Sequence, residues 1–310
     1  MQGWVSGSSF DFHLTSKIPG SGPIHWGEKY QHCFGKHQSP INIIEHKVQV
    51  VHLPPMTFTN FNVTNKNATL KNNGHTVMVT FDTEKKPMVS GGPLIGDYEF
   101  AQLHFHWGAN DGEGSENTIN NSSYPLEIHI VLYQQAYGSF QEATEHPDGL
   151  TVLSFLYTAV EEENENYKGI VEVLPLVKNA QTTTNVKELP ALNNLITKDL
   201  EIYYFYGGSL TTPPCTEAVT WIEFKNTVPL GDDQSFSLLK LEMCKQRSIR
   251  SVANTSKKWK WRERCYSGGF FETCANDRTL AVPTLIMVLV SVPTVVAYPT
   301  RVFFHYYIAT

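Results

Sequence analysis

Between Ile41 and Phe224 the chain is interrupted at short intervals by Asn, Gly and Pro, so few long amphipathic helices can form there. The runs left between the interruptions are alternating or continuously apolar over a few residues, which is how strands read. Thr76 to Phe81, Phe100 to Trp107, Leu126 to Tyr133 and Ala218 to Phe224 read as strands, whereas Leu150 to Val160 and Tyr167 to Val177 fit a buried strand or a helix equally. No internal repeat is present. A β-rich chain follows, and its 310 residues, 41% hydrophobic and 17% charged, can bury a sizeable core.

The formal net charge of -6 offers no basic field with which to collect phosphates, so nucleic acid is not an expected partner. Cysteines stand at positions 33, 215, 244, 265 and 274 without a CxxC pair, which argues against a zinc ribbon or a thioredoxin-like site; the odd count leaves at least one thiol unpaired. N-x-S/T sequons at Asn62, Asn67, Asn120, Asn121 and Asn254 lean towards a glycosylated, secreted protein. Against that, Met1 to Ile18 holds no basic and apolar signal-peptide pattern, so either this start is truncated or the protein is cytosolic.

Past Met243 the composition changes to a stretch dense in Lys and Arg that carries Trp259 and Trp261, suited to a solvated tail or to contact with anionic lipid. Ser267, Gly268 and Gly269, a polar spacer and the apolar run Leu280 to Tyr298 then follow the layout of a GPI-attachment signal. That run is also about long enough to span a bilayer, although Pro283, Pro293 and Pro299 weaken a spanning helix and Arg301 follows it. The chain therefore divides into an extension, 1–21; a main domain, 22–243; an atypical basic and polar segment, 244–279; and an apolar tail, 280–310.

The chemistry is concentrated in Gln102-Leu103-His104-Phe105-His106-Trp107. Two histidines at i and i+2 of a strand point to one face, within reach of one ion, while Phe105 points to the other. His129, in Leu126-Glu127-Ile128-His129-Ile130-Val131, is a third candidate, with Glu127 on its own face. Three neutral imidazoles and one open position describe a catalytic zinc site, whereas any one of these histidines alone would read as a hydrogen-bonded core residue. Gln102 and Glu127, each two residues before a histidine, are placed to fix the second ring nitrogens of His104 and His129.

Ser39-Pro40-Ile41-Asn42-Ile43, Asn72-Asn73-Gly74-His75, Gln102 to Gly108, Gly114-Ser115-Glu116, Leu126 to Val131 and Ser209-Leu210-Thr211-Thr212-Pro213-Pro214-Cys215 together resemble the α-class carbonic anhydrases, in that family's order and spacing. The resemblance runs from about Gly22 to Met243 and is nearest to the extracellular, GPI-linked branch. It implies a large, twisted, mostly antiparallel central sheet with short peripheral helices, a monomer, and reversible hydration of carbon dioxide to bicarbonate. It implies Zn2+ on His104, His106 and His129, with a bound water whose pKa falls to about 7. Thr211 and Glu116 would orient the resulting hydroxide, Thr212 would help seat bicarbonate, and Val131, Val152, Leu210 and Trp221 would form the apolar wall for carbon dioxide. His75 takes the proton-shuttle position, sulfonamide-type inhibitors are implied, and a Cys33–Cys215 disulfide places the chain at the extracellular face of the plasma membrane or in secretion. Weak esterase activity would accompany the same nucleophile.

Two departures stand out. Asn117 occupies the place of a family histidine that supports an internal hydrogen-bond network; Asn can replace some of those bonds but cannot span the same distance, so reduced stability more than lost chemistry is expected. Beyond Met243 the family's Asn-x-Arg-Pro segment, whose carbonyl holds the second zinc histidine, is missing, which predicts an unsupported His106. The alternatives to a working enzyme are a weakened or inactive binding domain of the same fold and an unstable variant with an aberrant end.

Overall fold

The computed structural model describes residues 23–234, apart from positions 66 and 109, and beyond them short backbone segments between 249 and 291. Ten strands form the path of one large sheet: β1 Val48–Val51, β2 Ala68–Asn72, β3 Val77–Phe81, β4 Tyr98–Trp107, β5 Leu126–Gln134, β6 Leu150–Val160, β7 Thr183–Val186, β8 Ile202–Gly208, β9 Val219–Gly231 and β10 Met287–Ser291. Their order across the sheet is β7-β2-β3-β4-β5-β6-β9-β8-β10-β1, with the short strands Thr57–Thr59 and Met88–Ser90 attached beside β4. The sheet is mixed: β6 runs parallel to β9 and β10 parallel to β1, and the other neighbours on the path are antiparallel.

Position in the sheet resolves the two ambiguous segments. Leu150 to Val160 becomes β6, flanked on both sides by β5 and β9, so its side chains from Leu150 to Tyr157 are buried on both faces and no alternation survives. Tyr167 to Val177 becomes the helix Lys168–Val173 between two 3-10 turns. It buries Tyr167, Ile170, Leu174 and Val177, a spacing of three or four residues that puts them on one helical face.

The main core lies on the sheet face that carries Leu103, Phe105, Ile128, Ile130, Leu153, Phe155, Ile222 and Phe224, over which that helix packs. Phe155 and Phe224 stack with ring centroids 4.5 Å apart. Alternation then requires His104, His106 and His129 to point to the opposite face.

Part of the apolar tail is itself a strand. β10 pairs antiparallel with β8, Ile202 opposite Ser291 and Phe205 opposite Val288, and parallel with β1, Met287 opposite Val48. Among the described residues no helix is long and apolar enough to cross a membrane. The side chains of the basic segment, of the tail and of Cys244, Cys265 and Cys274 lie outside the described residues, as do Asn254 and the chain before Pro23.

Candidate metal centre

His104 on β4 stands directly opposite His129 on β5, and His106 stands opposite Glu127. Cross-strand partners are the closest neighbours a sheet provides, so this register alone brings three imidazoles to one patch. His129 Nδ1 lies 2.9 Å from His106 Nε2 and 3.2 Å from His104 Nε2. The three nitrogens lie within 4.8 Å of one another, and no other group of three or more His, Cys, Asp or Glu among the described residues could hold a metal ion. A tetrahedral zinc with bonds of about 2.0 to 2.1 Å needs ligand nitrogens roughly 3.3 Å apart, so the donor set fits zinc in kind and in spacing.

The outward ring nitrogens are held. His104 Nδ1 is 2.8 Å from Gln102 Oε1, and His129 Nε2 is 2.6 Å from Glu127 Oε1. A proton on His129 Nε2 leaves the Nδ1 lone pair facing the cluster. Burial holds the His104 imidazole well below its ordinary range, with the neighbouring His129 adding to the effect, and lowers His129 to about 3. Both rings are therefore neutral near pH 7, as a metal ligand must be. His106 is buried, and its Nε2 lies 3.6 Å from Glu116 Oε2. The expectation that His106 lacks a main-chain support from beyond Met243 falls outside the described residues.

Glu127 is the most heavily bonded side chain of the site. Its Oε2 accepts from the backbone N–H of Glu116 at 2.6 Å and of Asn117 at 2.9 Å. Its Oε1 accepts from Asn117 Nδ2 at 2.9 Å and Ser154 Oγ at 2.7 Å, besides His129. Asn117 was expected to replace some of the bonds of the family histidine, and it does make a set of its own. Fully buried, it donates to Glu127 and to Glu223 Oε2 at 3.2 Å, while its oxygen accepts from Ile41 N at 3.1 Å and Tyr206 OH at 3.0 Å.

An apolar wall adjoins the histidines. Val131, Val152 and Trp221 are paired in one row across β5, β6 and β9, and with Tyr206 and Leu210 they form a single cluster on the site face. Trp221 sits edge-on to His129 with centroids 4.8 Å apart, and its Nε1 donates to the Ser209 carbonyl at 3.1 Å. Thr211 and Thr212 lie in the loop between β8 and β9. That loop is tied down by reciprocal Ser39 and Ser209 bonds of 2.9 and 3.0 Å and by the Cys33–Cys215 disulfide, with Cα atoms 4.9 Å apart. Thr211 and Glu116 are both buried. His75 is half-buried in the Asn73 to Thr76 turn that leads into β3, whose Met78 pairs with His104. Ser154, Glu223 and Tyr206 are the members that sequence reading missed as site residues. One signal was present: Glu223 follows Trp221 by two residues, an acid on the same face of an otherwise apolar strand.

Three imidazoles converging from adjacent strands beside an apolar wall define a mononuclear metal protein. The family model for eukaryotic-type carbonic anhydrases matches residues 21–262. Similar proteins include carbonic anhydrase 15 of Mus musculus, 36% identical over 73% of this chain and 72% of the relative. Carbonic anhydrase 6 of Mus musculus is 36% identical over 69% and 68%, and carbonic anhydrase 3 of Sus scrofa 34% over 75% and 85%. The chain belongs to the eukaryotic-type carbonic anhydrase family, and its cofactor is zinc.

Proposed function

We propose that this protein is a working carbonate dehydratase that interconverts carbon dioxide and bicarbonate. The observation that carries the reading is the convergence of His104, His106 and His129 on one patch, two of them held from behind by Gln102 and Glu127. Zinc held there supplies a Lewis acid that makes hydroxide available near neutral pH. Thr211 would accept a hydrogen bond from a hydroxide at the metal and donate its own hydroxyl proton to Glu116, which would orient that hydroxide. Val131, Val152, Leu210 and Trp221 would exclude water and hold carbon dioxide, and Thr212 would seat the bicarbonate product. His75 carries the proton released from water to buffer, the task of a group that titrates near neutrality.

The extracellular face of the membrane, or secretion, is the proposed location. A Cys33–Cys215 disulfide persists in oxidising compartments, and the sequon residues Asn62, Asn67, Asn120 and Asn121 are exposed and open to glycosylation. Membrane attachment through Leu280 to Tyr298 competes with the place of β10 in the sheet. Release from cells by a phosphatidylinositol-specific phospholipase would establish the anchor, and a soluble monomer retaining residues 287–291 would exclude it. The enzyme reading is tested by metal content and carbon dioxide hydration on purified protein. Near one zinc per chain with activity blocked by a sulfonamide is the expected result, and folded, zinc-loaded protein without activity would refute it.

A further inference from the structure

His104, His129, Ser154 and Glu223 lie in one row across four strands, each opposite the next. Glu223 is fully buried, yet no Lys or Arg is paired with it among the described salt bridges. Its Oε2 accepts from Asn117 Nδ2 at 3.2 Å, and its Oε1 accepts no hydrogen bond. A buried carboxylate with a bare oxygen is costly, and two buried carboxyl groups sharing one donor cannot both ionise. Glu127 accepts five hydrogen bonds, where Glu223 accepts the one from Asn117. Burial, with Glu127 beside it, raises Glu223 well above its ordinary range.

The contact with Asn117 gives Glu223 a structural task. The amide of Asn117 is a two-sided group: turned over, it would present its oxygen to Glu127 and repel it. Tyr206 and the Ile41 N–H hold the oxygen side; on the nitrogen side, Glu223 is the acceptor other than Glu127 itself.

We propose that Glu223 is a positioning residue of the metal centre, which holds Asn117 so that its amide donates to Glu127, and thereby holds Glu127 against His129 Nε2. This rests on the reading of the three histidines as the zinc site. The mechanism is one step further out than the usual support of a ligand, and loss of such outer contacts weakens metal binding about 10 to 100-fold.

The test compares full-length wild type with Glu223→Leu and Glu223→Gln, measuring zinc affinity by chelator competition and thermal midpoint of the zinc-free form. Glu223→Leu should bind zinc about 10-fold or more weakly while its zinc-free midpoint stays near wild type, since an apolar side chain replaces an acid with no charge partner. Glu223→Gln, whose amide oxygen still accepts from Asn117, should restore affinity to within about 2-fold of wild type. Equal zinc affinity in the Leu variant would overturn the proposal, as would a 10-fold loss in the Gln variant, which also decides the matter should the Leu variant not fold. Wild type that binds no zinc would overturn the metal reading as well, and so is distinguished from failure of the Glu223 role alone.

Discussion

Replacing Glu127 by Gln turns two oxygens that accept five hydrogen bonds into one oxygen and one amide nitrogen. With the nitrogen at the Oε2 position, it faces the backbone N–H groups of Glu116 and Asn117, now 2.6 and 2.9 Å from an acceptor, and neither donor can turn away. With the nitrogen at the Oε1 position, it faces His129 Nε2, now 2.6 Å away. His129 could recover that bond only by moving its proton to Nδ1, the nitrogen that faces His104 and His106, which removes it as a ligand. The first arrangement leaves two buried donors unsatisfied, a cost of about 3 to 5 kcal/mol. For a domain of this size that lowers the thermal midpoint by roughly 6 to 20 °C. The second weakens zinc by at least the 10 to 100-fold typical of lost outer contacts. Calorimetry of the zinc-free protein together with chelator competition separates the two arrangements, and both quantities must not stay unchanged. A Glu127→Gln variant within about 2-fold of wild type in zinc affinity and within about 2 °C in midpoint would refute the hydrogen-bond argument for this site.

Thr211→Val keeps the branched shape and removes the hydroxyl; kcat/KM for hydration should fall on the order of 100-fold while zinc affinity holds, as read by stopped-flow and metal analysis. Cys33→Ser opens a loop with a sequence separation of 182, and the oxidised and mutant proteins should differ by about 2 to 5 kcal/mol in denaturant unfolding. Glu45 is held at about 2, below its ordinary 4.5, chiefly by the Tyr204 hydroxyl at 2.5 Å, with Lys225 and Asn120. Because the folded pKa is depressed, its stabilisation is present above about pH 4.5 and is lost as pH falls through 2. The stability gap between wild type and Glu45→Gln should therefore be largest near pH 7 and close by pH 2; a gap that widens on acidification would show the sign to be wrong.

The strands around the histidines were legible because their signal is local. Gln102 to Trp107 and Leu126 to Val131 carry the period of two in their own composition, so the face of His104, His106 and His129, and of Gln102 and Glu127 behind them, follows from spacing. The two ambiguous segments were not legible, because continuous apolar runs are compatible with a central strand and with a buried helix. Neighbours decide between them: β5 and β9 for Leu150 to Val160, and the sheet face beneath Tyr167, Ile170, Leu174 and Val177 for the helix. The parallel β6·β9 pairing is of the same kind, since it joins residues about 70 positions apart in the chain.

The sequence by itself determined which residues face which way and which could bind zinc, because side-chain direction along a strand and the chemistry of imidazole are properties of short segments. Only the tertiary structure decided register, and register sets what meets what. It put His104 opposite His129, brought Ser154 and Glu223 into the same row, and gave Asn117 its four partners. Those pairings depend on distances between strands remote in the chain, which the packing of the whole sheet sets and no window of the sequence contains.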